Sequence, residues 1–103
     1  MSSERETLSR PLESSVPDEI LRAEIQDWAK RIAVKVGTVT IRKMKRKWAS
    51  CSSKGNLTFD VELLRQPASA RRKAIVHELL HLKYPNHGRM FHAMERMYLG
   101  KER

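Results

Sequence analysis

Several features that are common in secreted and membrane proteins are scarce in this sequence. Its 103 residues include one cysteine, Cys51, so no internal disulfide bond can form and we expect a cytoplasmic protein. No apolar run approaches the roughly 20 residues that a membrane-spanning helix needs, and the N-terminus lacks the apolar segment of a signal peptide. A chain of this length has room for one small core. A bound metal ion is one way to stabilise such a core.

Acidic residues are scarce relative to basic ones. Twelve Asp and Glu stand against 21 Lys and Arg, which gives a net charge of +9. Five of the seven positions from Ile41 to Lys47 are basic, and the stretch 71–73 adds three more basic residues. Such runs suit nucleic acid, with Lys43, Lys45 and Lys47 as contacts, but solvated faces of soluble proteins carry similar charge. Both interpretations are open at this stage.

The order of the hydrophobic patterns predicts an α+β fold. After a polar segment, residues 1–16, that we expect to be a flexible arm, residues 17–37 show one apolar stripe at helical spacing that ends at Gly37. Period-two alternation then predicts a small three-stranded sheet from TVTIRKM, KWASC and LTFD. Two further helices follow, with Ser69 and Asn86 as candidate N-caps, Pro85 ending the first and Gly100 the second. Residues 17–103 are therefore predicted to form one domain.

The stretch HELLHLKYPNH, from His77 to His87, carries the candidate chemistry. On a helix with 100° per residue, His81 lies about 40° from His77 and Glu78 about 100° from it, while apolar side chains fill the opposite side. Two neutral imidazoles one turn apart can bind one zinc ion, and an adjacent carboxylate can reach the water on that ion. We therefore predict one catalytic Zn²⁺ with His77 and His81 as ligands and Glu78 as the general base of a hydrolase.

The third zinc ligand is expected from the last predicted helix, which holds His87, His92 and Glu95. His87 falls on the apolar stripe of that helix, whereas His92 lies about 140° away and Glu95 lies at the edge of the stripe. A ligand has to point inward, so we favour His87, and His92 and Glu95 remain alternatives. No pattern assigns the group that stabilises an oxyanion, for which Tyr84, Tyr98 and His92 are candidates.

Two longer stretches carry a family resemblance. KWASCSSKGNLTFDVELLRQP followed by HELLHLKYPNHGRMF resembles the minimal zincin peptidases called minigluzincins or YgjP-like proteins, relatives of the SprT and WLM proteases. The resemblance covers roughly residues 40–95 and implies a zinc metallopeptidase acting on polypeptides, with His77, His81 and His87 as ligands and Glu78 as the base. It also implies that an edge strand runs along the cleft and holds the substrate backbone. The implied substrate-binding residues are Asn56, Leu57, Thr58, Phe59 and Asp60.

Two other functions fit part of the sequence. The spacing His-x3-His-x5-His also resembles that of the YbeY-like metal-dependent endoribonucleases, and the positive charge suits RNA. Those proteins have a small residue where Glu78 stands, so Glu78 favours peptide hydrolysis. A non-catalytic, zinc-stabilised nucleic-acid-binding module would need a fourth protein ligand, and no fourth Cys or His lies at a conventional spacing. No pattern indicates the oligomeric state.

Overall fold

The computed structural model describes residues 15–100 of the chain. Within them, one helix precedes a three-stranded sheet and two helices follow it, which confirms the predicted α+β fold. A short 3₁₀ helix, Val61–Arg65, follows the last strand. The elements are α1 (Asp18–Ile32), β1 (Val39–Arg42), β2 (Ala49–Cys51), β3 (Leu57–Asp60), α2 (Ala68–Leu80) and α3 (Arg89–Leu99).

The first helix ends earlier than its apolar stripe predicts. Ala33 adopts a left-handed conformation with φ 66°, and the N–H of Val34 donates to the carbonyl of Ala29 at 3.0 Å. This is a common way for a helix to end, so α1 stops at Ile32 and not at Gly37. The predicted arm, residues 1–16, lies outside the described residues except for its last two.

The sheet contradicts the prediction that residues 56–60 form an edge strand. The strand order is β1-β3-β2, with β3 parallel to β1 and antiparallel to β2, so β3 is central and bonded on both sides. A period-two pattern shows that a segment is a strand but does not give its position in the sheet. The strand edges that remain open belong to β1 and β2.

The residues expected to bind substrate have structural roles in this arrangement. Leu57 and Phe59 are 1% and 0% exposed in the core, and Thr58 pairs with both neighbouring strands. Oδ1 of Asn56 accepts a hydrogen bond from the N–H of residue 38 at 3.0 Å. Oδ1 of Asp60 accepts one from the N–H of residue 62 at 3.1 Å and so caps the 3₁₀ helix. Their predicted position at an edge of the sheet is therefore wrong, and their assignment as substrate-binding residues stays an untested prediction.

Helix α2, which carries the predicted site residues His77 and Glu78, has the expected apolar face. Four of its side chains are fully buried, and burial of each such side chain stabilises the fold by roughly 1.5–3 kcal/mol. The helix begins at Ala68, and its N-cap residue is Pro67 instead of the predicted Ser69, which lies inside the first turn. No side chain caps this end of the helix. It ends at Leu80, ahead of Pro85. The fully buried side chains of α2 are Ile75, Val76, Leu79 and Leu80.

Arg71 fixes α2 against α1. Its Nε and Nη2 atoms donate to the two carboxylate oxygens of Glu24 at 2.8 and 2.9 Å, and its Nη1 atom donates to the carbonyl of Gln66 at 2.7 Å. The hydrogen bond to Glu24 raises the pKa of this guanidinium, although its burial lowers it. Arg71 is buried, so this member of the basic stretch 71–73 holds two helices together and does not face a partner.

The last helix begins later than predicted. Gly88 is extended and precedes Arg89, the first helical residue, so His87 lies in the loop before α3 and not on the helix. The predicted apolar stripe of α3 is also less buried than expected, because only Phe91 is fully enclosed while Met90 and Met97 are 56% and 50% exposed. In residues 15–100, no helix has the length and apolarity required to cross a bilayer.

Candidate metal centre

Three histidines lie together at the C-terminal end of α2. One ring nitrogen from each of His77, His81 and His87 lies within 4.8 Å of the other two. The Nε2 atoms of His81 and His87 are 2.9 Å apart. Two nitrogen ligands at about 2.0–2.1 Å from a tetrahedral zinc lie roughly 3.3–3.4 Å apart, so the rings of His81 and His87 need to separate by only some tenths of an ångström to share the ion. The histidines predicted as ligands are therefore brought together, and their role as ligands remains a proposal.

A tightened turn after α2 sets the position of the second histidine. The N–H groups of residues 81–83 donate to carbonyls three residues earlier at 3.0–3.2 Å, which continues the helical path in a 3₁₀-like form. His81 keeps helical backbone angles, and its ring centroid lies 5.0 Å from that of His77. The i,i+4 geometry that the sequence predicts thus persists beyond the last residue of the α-helix.

Glu95 of α3 contacts the first histidine instead of joining the cluster. Its Oε2 atom accepts a hydrogen bond from Nδ1 of His77 at 2.8 Å, which leaves Nε2 of that ring for a metal. This hydrogen bond lowers the pKa of the Glu95 carboxyl, whereas burial raises it. Sequence reasoning named Glu95 as an alternative ligand, but it missed this supporting contact between residues 18 positions apart.

The second histidine is held in the form that binds metals. Burial lowers the pKa of His81, and charge on His77 and His87 lowers it further, whereas a hydrogen bond to the backbone of Pro85 raises it. Proline has no N–H, so the backbone partner is the Pro85 carbonyl and the ring donates to it. A neutral imidazole that donates through one nitrogen presents the lone pair of the other to a cation.

Phe91 forms the base of the histidine cluster. Its ring centroid lies 5.1, 4.9 and 4.7 Å from those of His77, His81 and His87, and the side chain is fully buried. The apolar stripe of α3 predicted that this side chain packs inward, but no sequence pattern connected it to the three histidines. Phe91 joins the hydrophobic core to the site, so movement of α3 would displace the cluster.

Glu78 lies beside the histidines in an open cleft of about 360 Å³. Its side chain is buried at 9% exposure, while the cleft itself opens to solvent between α2 and β2. The strand that borders the cleft is therefore β2, not β3. The residues that line it are Lys47, Ala49, Ser50, Cys51, Ser52, Ser53, His77, Glu78, His81, Pro85 and His87.

Cys51 faces this cleft as a thiol. Burial raises its pKa, and the carboxylate of Glu78 raises it further. The thiol donates to the carbonyl of Ser52 at 3.3 Å. Among the described residues, the group able to hold a metal contains the three histidines and not this sulfur. Because a thiolate is the form that binds zinc, these surroundings disfavour Cys51 as a ligand.

All but one of the remaining sequence candidates lie outside the cleft. His92 is exposed, with its ring centroid 6.1 Å from that of His87. The hydroxyl of Tyr98 donates to the carbonyl of Arg31 at 3.3 Å on the side of α1. Neither of these side chains nor Tyr84 lines the cleft, so none of the three candidates faces a position where an oxyanion would form there.

Lys43, Lys45 and Lys47 are exposed in the loop between β1 and β2, and only Lys47 reaches the cleft.

A small α+β fold with three clustered histidines and an adjacent glutamate is the arrangement of a minimal zincin metallopeptidase. Residues 2–102 match the family model described as YgjP-like, metallopeptidase domain, and the chain belongs to this family. Membership implies a bound metal ion and a polypeptide substrate. Comparison with curated protein sequences finds no significant match.

Two solved structures share the fold. The metallopeptidase zymogen jannalysin of Methanocaldococcus jannaschii is 25% identical, with a TM-score of 0.69 over 76% of this chain and 80% of that chain. The metallopeptidase zymogen abylysin of Pyrococcus abyssi is 24% identical, with a TM-score of 0.67 over 74% of this chain and 76% of that chain. Both similarities support the predicted minimal zincin fold.

Proposed function

We propose that this protein is a zinc-dependent metallopeptidase in which His77, His81 and His87 hold the ion and Glu78 is the general base. The observation that carries the proposal is the convergence of three imidazoles, within 4.8 Å, beside a buried carboxylate in an open cleft. Three neutral imidazoles fit a catalytic zinc site, which keeps one position for water or substrate. A structural zinc site would be closed by a fourth protein ligand, and none of the described residues extends this group to four.

Glu78 is proposed to move the proton that hydrolysis requires. A zinc ion in such a site supplies a water of lowered pKa and polarises the scissile carbonyl group. A carboxylate oxygen of Glu78 takes the proton from the attacking water and gives it to the departing amine. The position of the Glu78 backbone is fixed by the core, because its neighbours in α2 at positions 76, 79 and 80 are fully buried.

Glu95 and Pro85 are proposed to orient the ligands. Each accepts a hydrogen bond from a histidine, so the free nitrogen of each ring is the one that faces the cluster. Such contacts typically change metal affinity or activity by about 10–100-fold. Phe91 keeps water away from the inner side of the rings, since it is fully buried against all three.

The open edge of β2 is proposed to hold the substrate backbone, in place of residues 56–60. The carbonyl of Trp48 and the N–H of Ser52 bond to the β3 side at 2.8 and 2.9 Å. Backbone groups alternate in direction along a strand, so those of Ala49 and Cys51 point to the cleft. An extended peptide can pair with these groups without contributing side-chain specificity.

The proposal also covers location and domain organisation. Residues 17–103 would form the catalytic domain, with residues 1–16 as an N-terminal arm whose last residue, Val16, donates from its N–H to the carbonyl of Leu64 at 2.8 Å. The cytoplasmic location expected from the single cysteine remains part of this proposal.

The proposal is tested by comparing the wild type with Glu78→Gln. Gln is nearly isosteric but cannot act as a base, so both proteins should bind one zinc per chain and the variant should lose about 10²–10⁴-fold in hydrolysis of casein. Zinc content, a thermal unfolding curve and product mass spectrometry provide the readouts. Full peptidase activity in Glu78→Gln would remove this residue from the mechanism. Cleavage of a structured RNA without cleavage of casein would favour the endoribonuclease alternative.

A further inference from the structure

The metal cleft is the middle one of three adjoining cavities. Lys47 lines both the cleft and a cavity of about 490 Å³ formed by residues 42–47. Ser53 lines both the cleft and a cavity of about 330 Å³ beside the turn between β2 and β3. Because each outer cavity shares a residue with the cleft, the three follow one another along β2 and its flanking residues.

Both outer cavities are basic. We call Lys43, Lys45 and Arg46, which line the cavity before β2, the loop cluster. We call Lys35, Lys54 and Lys83, which line the cavity after β2, the turn cluster. All six side chains are exposed, and none of the residues lining the two outer cavities is acidic.

Within the described part of the chain, no carboxylate forms an ion pair with these positive charges. The ion pairs found among residues 15–100 involve none of the six side chains. One of the six, Lys83, donates to the carbonyl of Ile32 at 2.8 Å, which keeps its charge at the edge of the cavity. Of the described residues that line the cleft between the clusters, Glu78 is the one acidic residue. A segment crossing the cleft therefore meets positive charge at both ends.

We propose that the substrates of this cleft are acidic polypeptide segments, with Asp or Glu on both sides of the scissile bond. This inference rests on the proposed peptidase function and adds a substrate class to it. The loop cluster and the turn cluster attract the acidic side chains, while the edge of β2 pairs with the backbone between them. Six residue steps separate Lys47 from Ser53, and a substrate strand paired with β2 would advance residue for residue beside it, so the acidic positions are placed about three residues on either side of the scissile bond.

The lining of the three cavities favours a polypeptide over single-stranded nucleic acid. Proteins that bind single strands stack the bases on aromatic side chains. Among the described residues that line these cavities, there is no Phe, Tyr or Trp. The cleft instead offers the outward backbone groups of Ala49 and Cys51, which match the hydrogen-bonding groups of an extended peptide.

The test uses three fluorogenic peptides of about ten residues that share an uncharged centre and carry Glu, Gln or Lys at the flanking positions. The zinc-loaded full chain should cleave the Glu peptide with a kcat/KM about tenfold or more above that of the Gln peptide, and the Lys peptide least. Raising the salt concentration to about 0.5 M should bring the Glu-to-Gln ratio towards one, because these charges are exposed.

Variants of each cluster locate the effect. Lys43→Gln/Lys45→Gln/Arg46→Gln and Lys35→Gln/Lys54→Gln should each lower the Glu-to-Gln ratio by roughly threefold or more. Lys83 is left intact because it bonds to the end of α1. Lys30→Gln is the matched control, since Lys30 is exposed and lines none of the three cavities. The ratio should not change in this control.

The outcomes separate this inference from the proposed function. Cleavage of all three peptides at similar rates, with no response to either cluster variant, would overturn the acidic preference and leave the peptidase standing. If no peptide is cleaved, binding of the same peptides to Glu78→Gln by fluorescence anisotropy still tests the preference, and the peptidase proposal fails only if casein is also left uncleaved. Equal binding of the Glu and Gln peptides to this variant would reject the acidic preference. Tighter binding of a single-stranded oligonucleotide than of the Glu peptide would assign the clusters to nucleic acid instead.

Discussion

The two sides of the cleft are built differently. On the helical side, α2 and the segment that follows it present the histidines, and α3 supports them through Phe91, which is fully buried, and Glu95, which bonds to His77 at 2.8 Å. On the opposite side, β2 and its flanking loops present exposed lysines and backbone groups at an open strand edge. Metal binding needs fixed geometry, whereas peptide binding through the backbone tolerates variation. We therefore expect large effects from changes on the helical side and smaller effects from changes on the sheet side.

The largest expected effect follows from removing the proposed ligand that lies outside a regular helix. His87→Ala should lose stoichiometric zinc and unfold at a temperature lower by about 10 °C or more, because metal binding energy in a small site is also folding energy. His92→Ala is the matched control, since this exposed histidine lies five residues further along, in α3, and outside the cluster. Atomic absorption and thermal unfolding measure both. Stoichiometric zinc in His87→Ala would assign the third position to another residue.

Phe91→Ala should give the next largest effect. It removes a fully buried aromatic ring that contacts all three histidines, and such truncations cost about 3–5 kcal/mol of unfolding free energy. Zinc affinity should fall with it, because the rings lose their support. Met97→Ala on the same helix is the control, and a change below about 0.5 kcal/mol is expected at this half-exposed position. Urea unfolding with and without chelator measures both, and equal losses in the two variants would remove Phe91 as the base of the site.

Glu95→Gln tests the hydrogen bond to the first proposed ligand, His77. Gln can still accept from Nδ1 of His77 but carries no charge, so zinc affinity should fall about tenfold while the fold is kept. Competition with a coloured chelator gives the affinity, and circular dichroism checks the fold. Glu62→Gln, which removes an exposed carboxylate from the 3₁₀ helix, is the control. Complete loss of zinc in Glu95→Gln would indicate that Glu95 is itself a ligand.

The helical side was also the easier one to predict from sequence. A period of 100° per residue placed Ile75, Val76, Leu79 and Leu80 opposite the histidines, and all four are fully buried. Local periodicity is enough there, because one helix carries both the core face and the chemical face. His87 was favoured for its position on a helical stripe, yet it lies in a loop, since Gly88 delays the start of α3. His87 reaches the cluster from this loop, where helical periodicity does not apply.

On the sheet side, the order of the strands could not be predicted from the sequence. Alternation identified the segments that form β1, β2 and β3. Strand order depends instead on the path of the connections between the strands, and β3 lies between the other two. The edge assigned to residues 56–60 therefore belongs to β2, where Ser50 and Cys51 border the cleft. The contact between Glu95 and His77 was missed for a similar reason, because packing of two helices is not visible in either helix alone.

The smallest expected effect concerns the one cysteine of the chain, Cys51 on the sheet side, and it tests whether that side contributes a ligand. Burial and the nearby Glu78 carboxylate raise the pKa of the Cys51 thiol, and a protonated thiol is a poor zinc ligand. Cys51→Ser keeps a donor for the carbonyl of Ser52, so one zinc per chain should remain, with stability within about 1 kcal/mol and hydrolysis within a few-fold of the wild type.

Ser50→Ala serves as the comparison for Cys51→Ser, because Ser50 lines the same cleft without a sulfur. Metal analysis, thermal unfolding and casein hydrolysis are measured on both variants. If Cys51→Ser alone loses zinc, the thiolate closes the site as a fourth ligand, and a closed tetrahedron would point to a structural ion. If both variants keep zinc, the metal is held from the helical side alone, and the sheet side is left to bind the polypeptide.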